Sequence, residues 1–227
     1  LAPTGGGTRK QEGISFICCE MTRQGVTLHP IITLDGKHVL NRVTFDNVWV
    51  PGDHLIGEPG QGWHYSQYLL GHERTSYAHI AGKRHMLASV RTLANETPAG
   101  GNARLIDDAG FRRRLADTDL AVDALEMTVL RVLAAVKDGG APGIEASIVK
   151  ILATETHQQI TELMLDAGGA FAAMATPDSR RADELAPGPQ AAAPPGVAAY
   201  FGGRAQSIYG GTNEIQKSII AKRVLGL

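Results

Sequence analysis

The spacing of apolar residues changes once along this chain, near residue 61, and that change limits the folds open to it. Before it the runs are short and β-prone. Ile14-Ser15-Phe16-Ile17-Cys18-Cys19 lies between Gly13 and the polar Thr22-Arg23-Gln24 turn, and Gly25 to His29 alternates ahead of Pro30. Val39 to Val50 is rich in Val, Thr, Phe and Trp, with Val43, Phe45 and Val48 expected in the core. Asp35-Gly36 between two such runs signals a turn. These strands are too few to close a barrel, so a sheet edge is left needing a partner.

After residue 61 the period is helical. Tyr65, Tyr68, Leu69, Ile80, Leu87, Val90 and Ala94 fall on one stripe, which Asn95 to Ala103 interrupts with Pro98, Gly100 and Gly101. Asp107 or Asp108 suits the cap of a second helix, whose apolar face holds Val122, Leu125, Val129, Val132, Leu133 and Val136 and which Gly139-Gly140 ends. Pro142 suits the first turn of a third helix, with Ile144, Ile148, Ile151, Leu152, Gln159 and Leu163 on its stripe and Gly168-Gly169 as its stop. Residues 172–196 are rich in Ala, Pro and Gly and read as a loop insertion. A last amphipathic segment runs from Val197 to the end, broken at Gly210-Gly211-Thr212. The fold class is α+β: a partial antiparallel β-domain over 1–60, then an antiparallel four-helix bundle over 61–227.

Composition narrows the function. The 22 basic and 23 acidic residues leave a net charge of −1, which gives no reason to expect nucleic acid or an anionic membrane as partner. An apolar share of 43% excludes wholesale disorder, and no apolar run reaches the roughly 18 residues of a membrane span. Cys18 and Cys19 are adjacent and cannot staple a loop, so a cytoplasmic protein is expected; two thiols are also too few for a zinc site built of several thiolates. His72, His79, His85 and His157 lack convergent ligand spacing and read as surface or packing residues, so no metal is expected. The chain opens on Leu1 in a Pro/Gly/Thr stretch without a secretory leader pattern, and an upstream part is expected to be cleaved or missing.

The strongest local signal is Ile208-Tyr209-Gly210-Gly211-Thr212-Asn213-Glu214-Ile215-Gln216. Two glycines between helical segments let a ligand approach the backbone, and Thr212 or Asn213 can cap a helix whose N-terminal N–H groups favour an anion. An ordinary helix–loop–helix joint has the same composition, and the residues alone leave both readings open.

Together with Ala221-Lys222-Arg223-Val224-Leu225-Gly226, that segment resembles the C-terminal signature of the acyl-CoA dehydrogenase family. Phe45-Asp46-Asn47-Val48-Trp49-Val50-Pro51, Leu55-Ile56-Gly57-Glu58 and Gly60-Gln61-Gly62-Trp63 are similar to its passage from middle β-domain to C-terminal bundle. Gly13-Ile14-Ser15-Phe16 and Pro30 to Gly36 fit the strands before it. The resemblance covers nearly the whole chain, in order, except for the insertion at 172–196. It implies an FAD-dependent oxidoreductase of fatty acid metabolism and β-oxidation, acting on an acyl-CoA. The α-proton and a β-hydride are removed to give the trans-2-enoyl-CoA. It also implies electron-transfer flavoprotein as electron acceptor and a homo- or hetero-tetramer. The family's N-terminal helical domain and first β-domain strands are absent, so the chain is expected to be N-terminally truncated.

The resemblance places the catalytic base in one of two positions. One follows Tyr in the C-terminal turn, and here that residue is Gly210. The other is a Glu-Arg pair on the first bundle helix, which Leu69-Leu70-Gly71-His72-Glu73-Arg74 matches, so Glu73 is the expected base. The alternative for Glu73 and Arg74 is a solvated helix pair. The N–H of Gly210 is expected to help bind the thioester oxygen, with Arg74 and Tyr209 on the substrate side. Thr212 and Glu214 match positions that touch the FAD diphosphate and ribose region, and Gly168 and Gly169 match a pair facing the neighbouring subunit's FAD.

Two departures stand beside these matches. The family's Arg-x-x-Phe-Gly motif has no counterpart near Asn95 to Gly101, and Leu165 replaces the Gln of Gln-x-x-Gly-Gly. These losses imply a subunit of a heteromeric acyl-CoA dehydrogenase whose second chain supplies the missing FAD contacts. Such pairs act on bulky, dicarboxylic or steroid-side-chain acyl-CoAs. A non-catalytic or flavin-incomplete subunit, and another flavoenzyme of the superfamily such as a monooxygenase or nitroalkane oxidase, are the competing readings.

Overall fold

Two separate antiparallel sheets account for the β-prone opening. The computed structural model describes residues 1–6, 9, 11–137, 143–172 and 196–227, and their side chains except at 71–76, 136, 170–172 and 196. The chain forms two compact units: Leu1–Thr33 with Lys37–Glu73, and Leu34–Gly36 with Arg74–Leu227.

In the first unit β1 (Ala2–Pro3), β2 (Ile14–Ile17) and β5 (Leu55–Ile56) make one sheet in the order β1-β2-β5. Ser15 on β2 is buried; its hydroxyl bonds Thr4 Oγ1 and accepts the Gly60 N–H at 2.9 Å. Gly62, which opens α1 (Gly62–Ser76), lies so close to β2 that a Cβ there would stand 2.6 Å from the Ser15 carbonyl carbon. Gly62 is thus explained by a helix start laid directly on a strand, and Gly60 by its φ of +79°. The second sheet is a hairpin of β3 (Val26–Ile32) and β4 (His38–Phe45), paired from Val26↔Phe45 to Ile32↔His38 with an irregularity at Ile31/Ile32. Its turn holds Asp35-Gly36, with Gly36 at φ +78°. Phe45 is 57% exposed rather than core, and Val43 and Val48 are only half-buried; a two-stranded ribbon by itself buries little of either face.

The first expected bundle helix is two helices. α1 ends at Ser76 and α2 runs over Ile80–Glu96, with His79 between them in the left-handed region at φ +40°. Tyr68 and Leu69, expected on the apolar stripe, are exposed, whereas Leu87, Val90 and Ala94 on α2 are buried as their spacing predicts. α3 (Ala109–Lys137) is capped by Asp108, whose carboxylate accepts the Phe111 N–H at 2.7 Å. Its Val122, Leu125 and Val132 are buried, but Leu133 is exposed.

α4 (Glu145–Ala172) packs against α2, α3, α5 (Gly196–Arg204) and α6 (Asn213–Ile220). Contact on so many sides widens its buried face beyond one stripe. Val149, Ala153, Ile160, Leu163 and Ala167 form that face, while Gln159 and Ile148 of the expected stripe point outward. Two of its buried hydroxyls are satisfied locally, Thr154 and Thr161 donating to the carbonyls of Ile151 and Gln158, whereas the buried Ser147 hydroxyl has no partner among the described residues. Gly168-Gly169 does not stop the helix; Gly169 breaks it at φ +52°, and helical backbone resumes to Ala172. Residues 173–195 of the expected insertion lie outside the described residues, as do Gly139-Gly140 and Pro142.

The bundle core has two parts. Leu87, Val90, Phe111, Leu115, Val122, Ile160 and Met164 belong to one; Ala78, Leu125, Val132, Val149 and Ala153 form the other. Among the described residues no helix is long and apolar enough to cross a membrane.

Candidate active site

The turn before α6 is built by its own residues. The N–H groups of Ile208 and Tyr209 both reach the Ala205 carbonyl, closing a tight turn at the end of the α5 segment. Gly210 and Gly211 follow at φ +65° and +88°, a region that favours glycine. Thr212 then caps α6, its hydroxyl accepting the Ile215 N–H at 3.2 Å. Four of the expected site residues therefore meet here: Tyr209, Gly210 and Thr212 in the turn, and Glu214 in the first helical turn.

An atom stands in the place of a Cβ at both glycines, the movable end of a glutamine at 211 and a tyrosine ring at 210. A Cβ on Gly211 would stand 2.6 Å from Gln216 Nε2. A Cβ on Gly210 would stand 2.0 Å from the Tyr77 hydroxyl and 2.6 Å from its Cζ. The Tyr77 and Tyr209 rings lie 6.3 Å apart, tilted by 36°. Burial raises the Tyr209 phenol above its ordinary pKa.

Below the turn lies a buried polar cluster that spacing alone did not reveal. Lys150 on α4 is 0% exposed, and its Nζ donates to Asn213 Oδ1 at 3.0 Å. Thr154 Oγ1 contacts the same oxygen at 3.2 Å. Burial lowers the Lys150 pKa, and the Glu214 carboxylate opposes that shift. Gln216 is 1% exposed; its Nε2 donates to the Gly211 carbonyl at 3.4 Å, and its Oε1 has no partner among the described residues.

Glu214 is exposed. Its carboxylate is held below the ordinary range, first by its own backbone N–H, then by the Thr212 hydroxyl, Lys217 and Lys150. An anion thus already sits at the α6 N-terminus, and the one hydroxyl proton of Thr212 is turned toward it. A diphosphate here would have to displace Glu214, so Thr212 and Glu214 cannot both keep these bonds and hold it. The open backbone of Gly210-Gly211 and the unpartnered Gln216 oxygen do fit a ligand laid along the turn.

The other expected residues are not brought to this turn by any described contact. Gly168 and Gly169 sit at the break in α4. Glu73 and Arg74 lie in the last turn of α1, and their side chains fall outside the described ones. The residues that sequence reasoning missed are Tyr77, Lys83 and Lys150. Lys83 is buried in the bundle, where its Nζ donates to the Ala78 carbonyl at 2.7 Å and so braces the bend between α1 and α2. Burial lowers its pKa to about 8. His157 on α4 is pushed down to about 4, first by burial and then by Lys83, Arg204 and His79. Among the described residues no cluster of His, Cys, Asp and Glu can hold a metal.

Residues 60–225 match the acyl-CoA dehydrogenase C-terminal domain, and the chain belongs to the acyl-CoA dehydrogenase family. It is 30% identical to acyl-CoA dehydrogenase IpdE1 of Mycobacterium tuberculosis over 100% of this chain and 54% of that protein. The Tcur3481-Tcur3483 steroid ACAD superposes with a TM-score of 0.82 at 25% identity, covering 99% of this chain and 55% of that one. The ChsE4-ChsE5 complex from Mycobacterium tuberculosis gives 0.78 at 27% identity, over 97% and 55%. The chain spans about half the length of the curated relatives it matches. Both of these structural neighbours are complexes of two different chains.

Proposed function

We propose that this chain is the C-terminal part of an FAD-dependent acyl-CoA dehydrogenase that converts an acyl-CoA thioester to the trans-2-enoyl-CoA. The observation that carries this reading is the turn at 209–213, placed within a matched family domain and left without side chains at 210 and 211. The family is FAD-dependent, and the flavin supplies the acceptor for the β-hydride. Glu73 takes the α-proton, since position 210 has no space for a carboxylate. The Gly210 N–H donates to the thioester oxygen as it gains charge, and Tyr209 and Arg74 face the substrate. Thr212 and Glu214 would face the diphosphate and ribose region of the flavin, Glu214 turning from its bond to Thr212 to do so; Gly168 and Gly169 would face a neighbouring subunit's flavin. Electron-transfer flavoprotein accepts the electrons. The reaction is placed in the cytoplasm, in keeping with two free cysteines.

A heteromeric assembly is the second reading, favoured by Leu165 in place of the family's Gln and by neighbours built of two different chains. On this reading the partner completes the flavin site, and the acyl group is bulky. The test is a visible absorption spectrum of the natural protein, purified with whatever copurifies, before and after anaerobic addition of a panel of acyl-CoAs. A flavin band that one of them bleaches supports the reading; a flavin that none bleaches overturns it. A homotetramer with full flavin occupancy overturns the heteromeric part alone.

A further inference from the structure

The contact between Tyr77 and Gly210 joins two segments far apart in sequence at the centre of the proposed site. Tyr77 is the first residue past α1, in the bend before α2. Three features fix it there. The buried Lys83 ammonium holds the next carbonyl, that of Ala78, at 2.7 Å. The Tyr77 ring packs on the core cluster around Leu125 and Val149. Its other side meets the Tyr209 ring at 6.3 Å. From that seat the hydroxyl stands 2.0 Å from the place of a Cβ on residue 210, well inside any real contact. The ring carbon bearing it is at 2.6 Å, so rotating the hydroxyl proton or removing the oxygen alone does not clear the space.

We infer that Tyr77 is a positioning residue of the site: its phenol occupies the seat of a side chain at position 210, holds that position to glycine, and thereby bars a carboxylate from the turn. Gly210 has two independent reasons to be glycine, its φ of +65° and the phenol, and only the second depends on residue 77. The steric half of this inference stands on the contact itself. The functional half, that Tyr77 confines proton abstraction to Glu73, rests on the dehydrogenase reading above.

A mutant cycle in the full natural protein with its flavin separates the two halves. Wild type, Gly210→Ala, Tyr77→Ala and the double variant are compared by thermal midpoint and flavin occupancy. The expected result is a midpoint several degrees lower in Gly210→Ala, with much of that loss recovered when Tyr77→Ala is added, because the φ strain is common to both backgrounds and cancels. Equal losses in both backgrounds, or no loss at all, overturn the inference. The functional half is read by flavin bleaching with the acyl-CoA selected from the panel. In a Glu73→Gln background, Gly210→Glu alone is expected to restore nothing. Adding Tyr77→Ala to that pair is expected to restore bleaching by about tenfold or more, with a shifted pH profile. Rescue without Tyr77→Ala, or none with it, overturns the positioning role. An undiminished rate in Glu73→Gln alone overturns the choice of base and leaves the thermal cycle to decide the steric half.

Discussion

Lys150 Nζ donates to Asn213 Oδ1 at 3.0 Å in the interior of the bundle, and Thr154 is the other polar neighbour of that oxygen among the described contacts. This joins α4 to the first residue of α6, directly behind the glycine turn. The two partners are not equivalent. Removing Asn213 leaves a buried ammonium with no strong acceptor, a loss in the range of about 1–3 kcal/mol or more for a charged group. Replacing Lys150 with Met removes the cost of burying the charge along with the bond, and Thr154 still reaches the oxygen. Asn213→Ala is therefore expected to destabilise more than Lys150→Met. Urea unfolding of the two variants gives the order, and the reverse order would show that the ammonium itself holds the turn.

Lys83 makes stability depend on alkaline pH in a definite direction. Its folded-state pKa is lowered from 10.5 to about 8, so between those values the unfolded chain binds more protons. Stability then rises with pH from about 8 to 10.5, by up to about 3 kcal/mol, as the burial cost of the cation is relieved. His157 acts with the same sign at lower pH: folded pKa about 4 against 6.5 means stability gained from 4 to 6.5 and lost on acidification. Lys83→Met should flatten the alkaline rise, and His157→Gln the acid fall, in unfolding midpoints followed across pH.

Two of the residues that remained hidden have partners remote in sequence: Tyr77 meets Tyr209 and Gly210, and Lys150 meets Asn213, whereas Lys83 bonds Ala78 across the bend only five residues away. The glycine turn, the Asp108 cap and the apolar faces of α2 and α3 are local patterns, and they were legible. The bend at Tyr77–His79 was not, because an apolar stripe continues across it and His79 adopts φ +40° without glycine as a marker. A lysine on a helix ordinarily reads as a solvated residue; Lys83 is buried against the Ala78 carbonyl of the bend before its helix, and Lys150 against the Asn213 amide oxygen of α6. The α4 stripe was right at Leu152 and Leu163 and wrong at Ile148 and Gln159, because packing against four helices leaves no single stripe. The family was readable from ordered motifs, whereas the reason for glycine at 210 needed Tyr77, which no local pattern links to the turn.

Thr212 closes the turn through a single side-chain oxygen. It accepts from the Ile215 N–H at 3.2 Å, and its proton serves Glu214. Thr212→Ala removes the cap and is expected to cost about 1 kcal/mol, whereas Thr212→Ser keeps it. If the same hydroxyl also meets the flavin diphosphate, Thr212→Ala loses flavin on dialysis beyond what its lower midpoint explains, and Thr212→Ser does not. Measuring flavin content and thermal midpoint together distinguishes a cap from a cap that also binds.

Glu73 carries the sharpest prediction of the proposed reaction. With position 210 closed to a side chain, the carboxylate at 73 is the base that the proposed reaction requires. Glu73→Gln keeps size and hydrogen-bonding capacity but removes the base, so the half-reaction should slow by about 10²–10⁴-fold. Acyl-CoA should still bind, since the thioester contact at the Gly210 N–H does not pass through residue 73. Stopped-flow bleaching read beside an equilibrium titration separates the two effects: a large loss in rate with a small change in affinity is the expected pattern. A parallel loss of both would make Glu73 a binding or structural residue, and an unchanged rate would hand the chemistry to a partner chain.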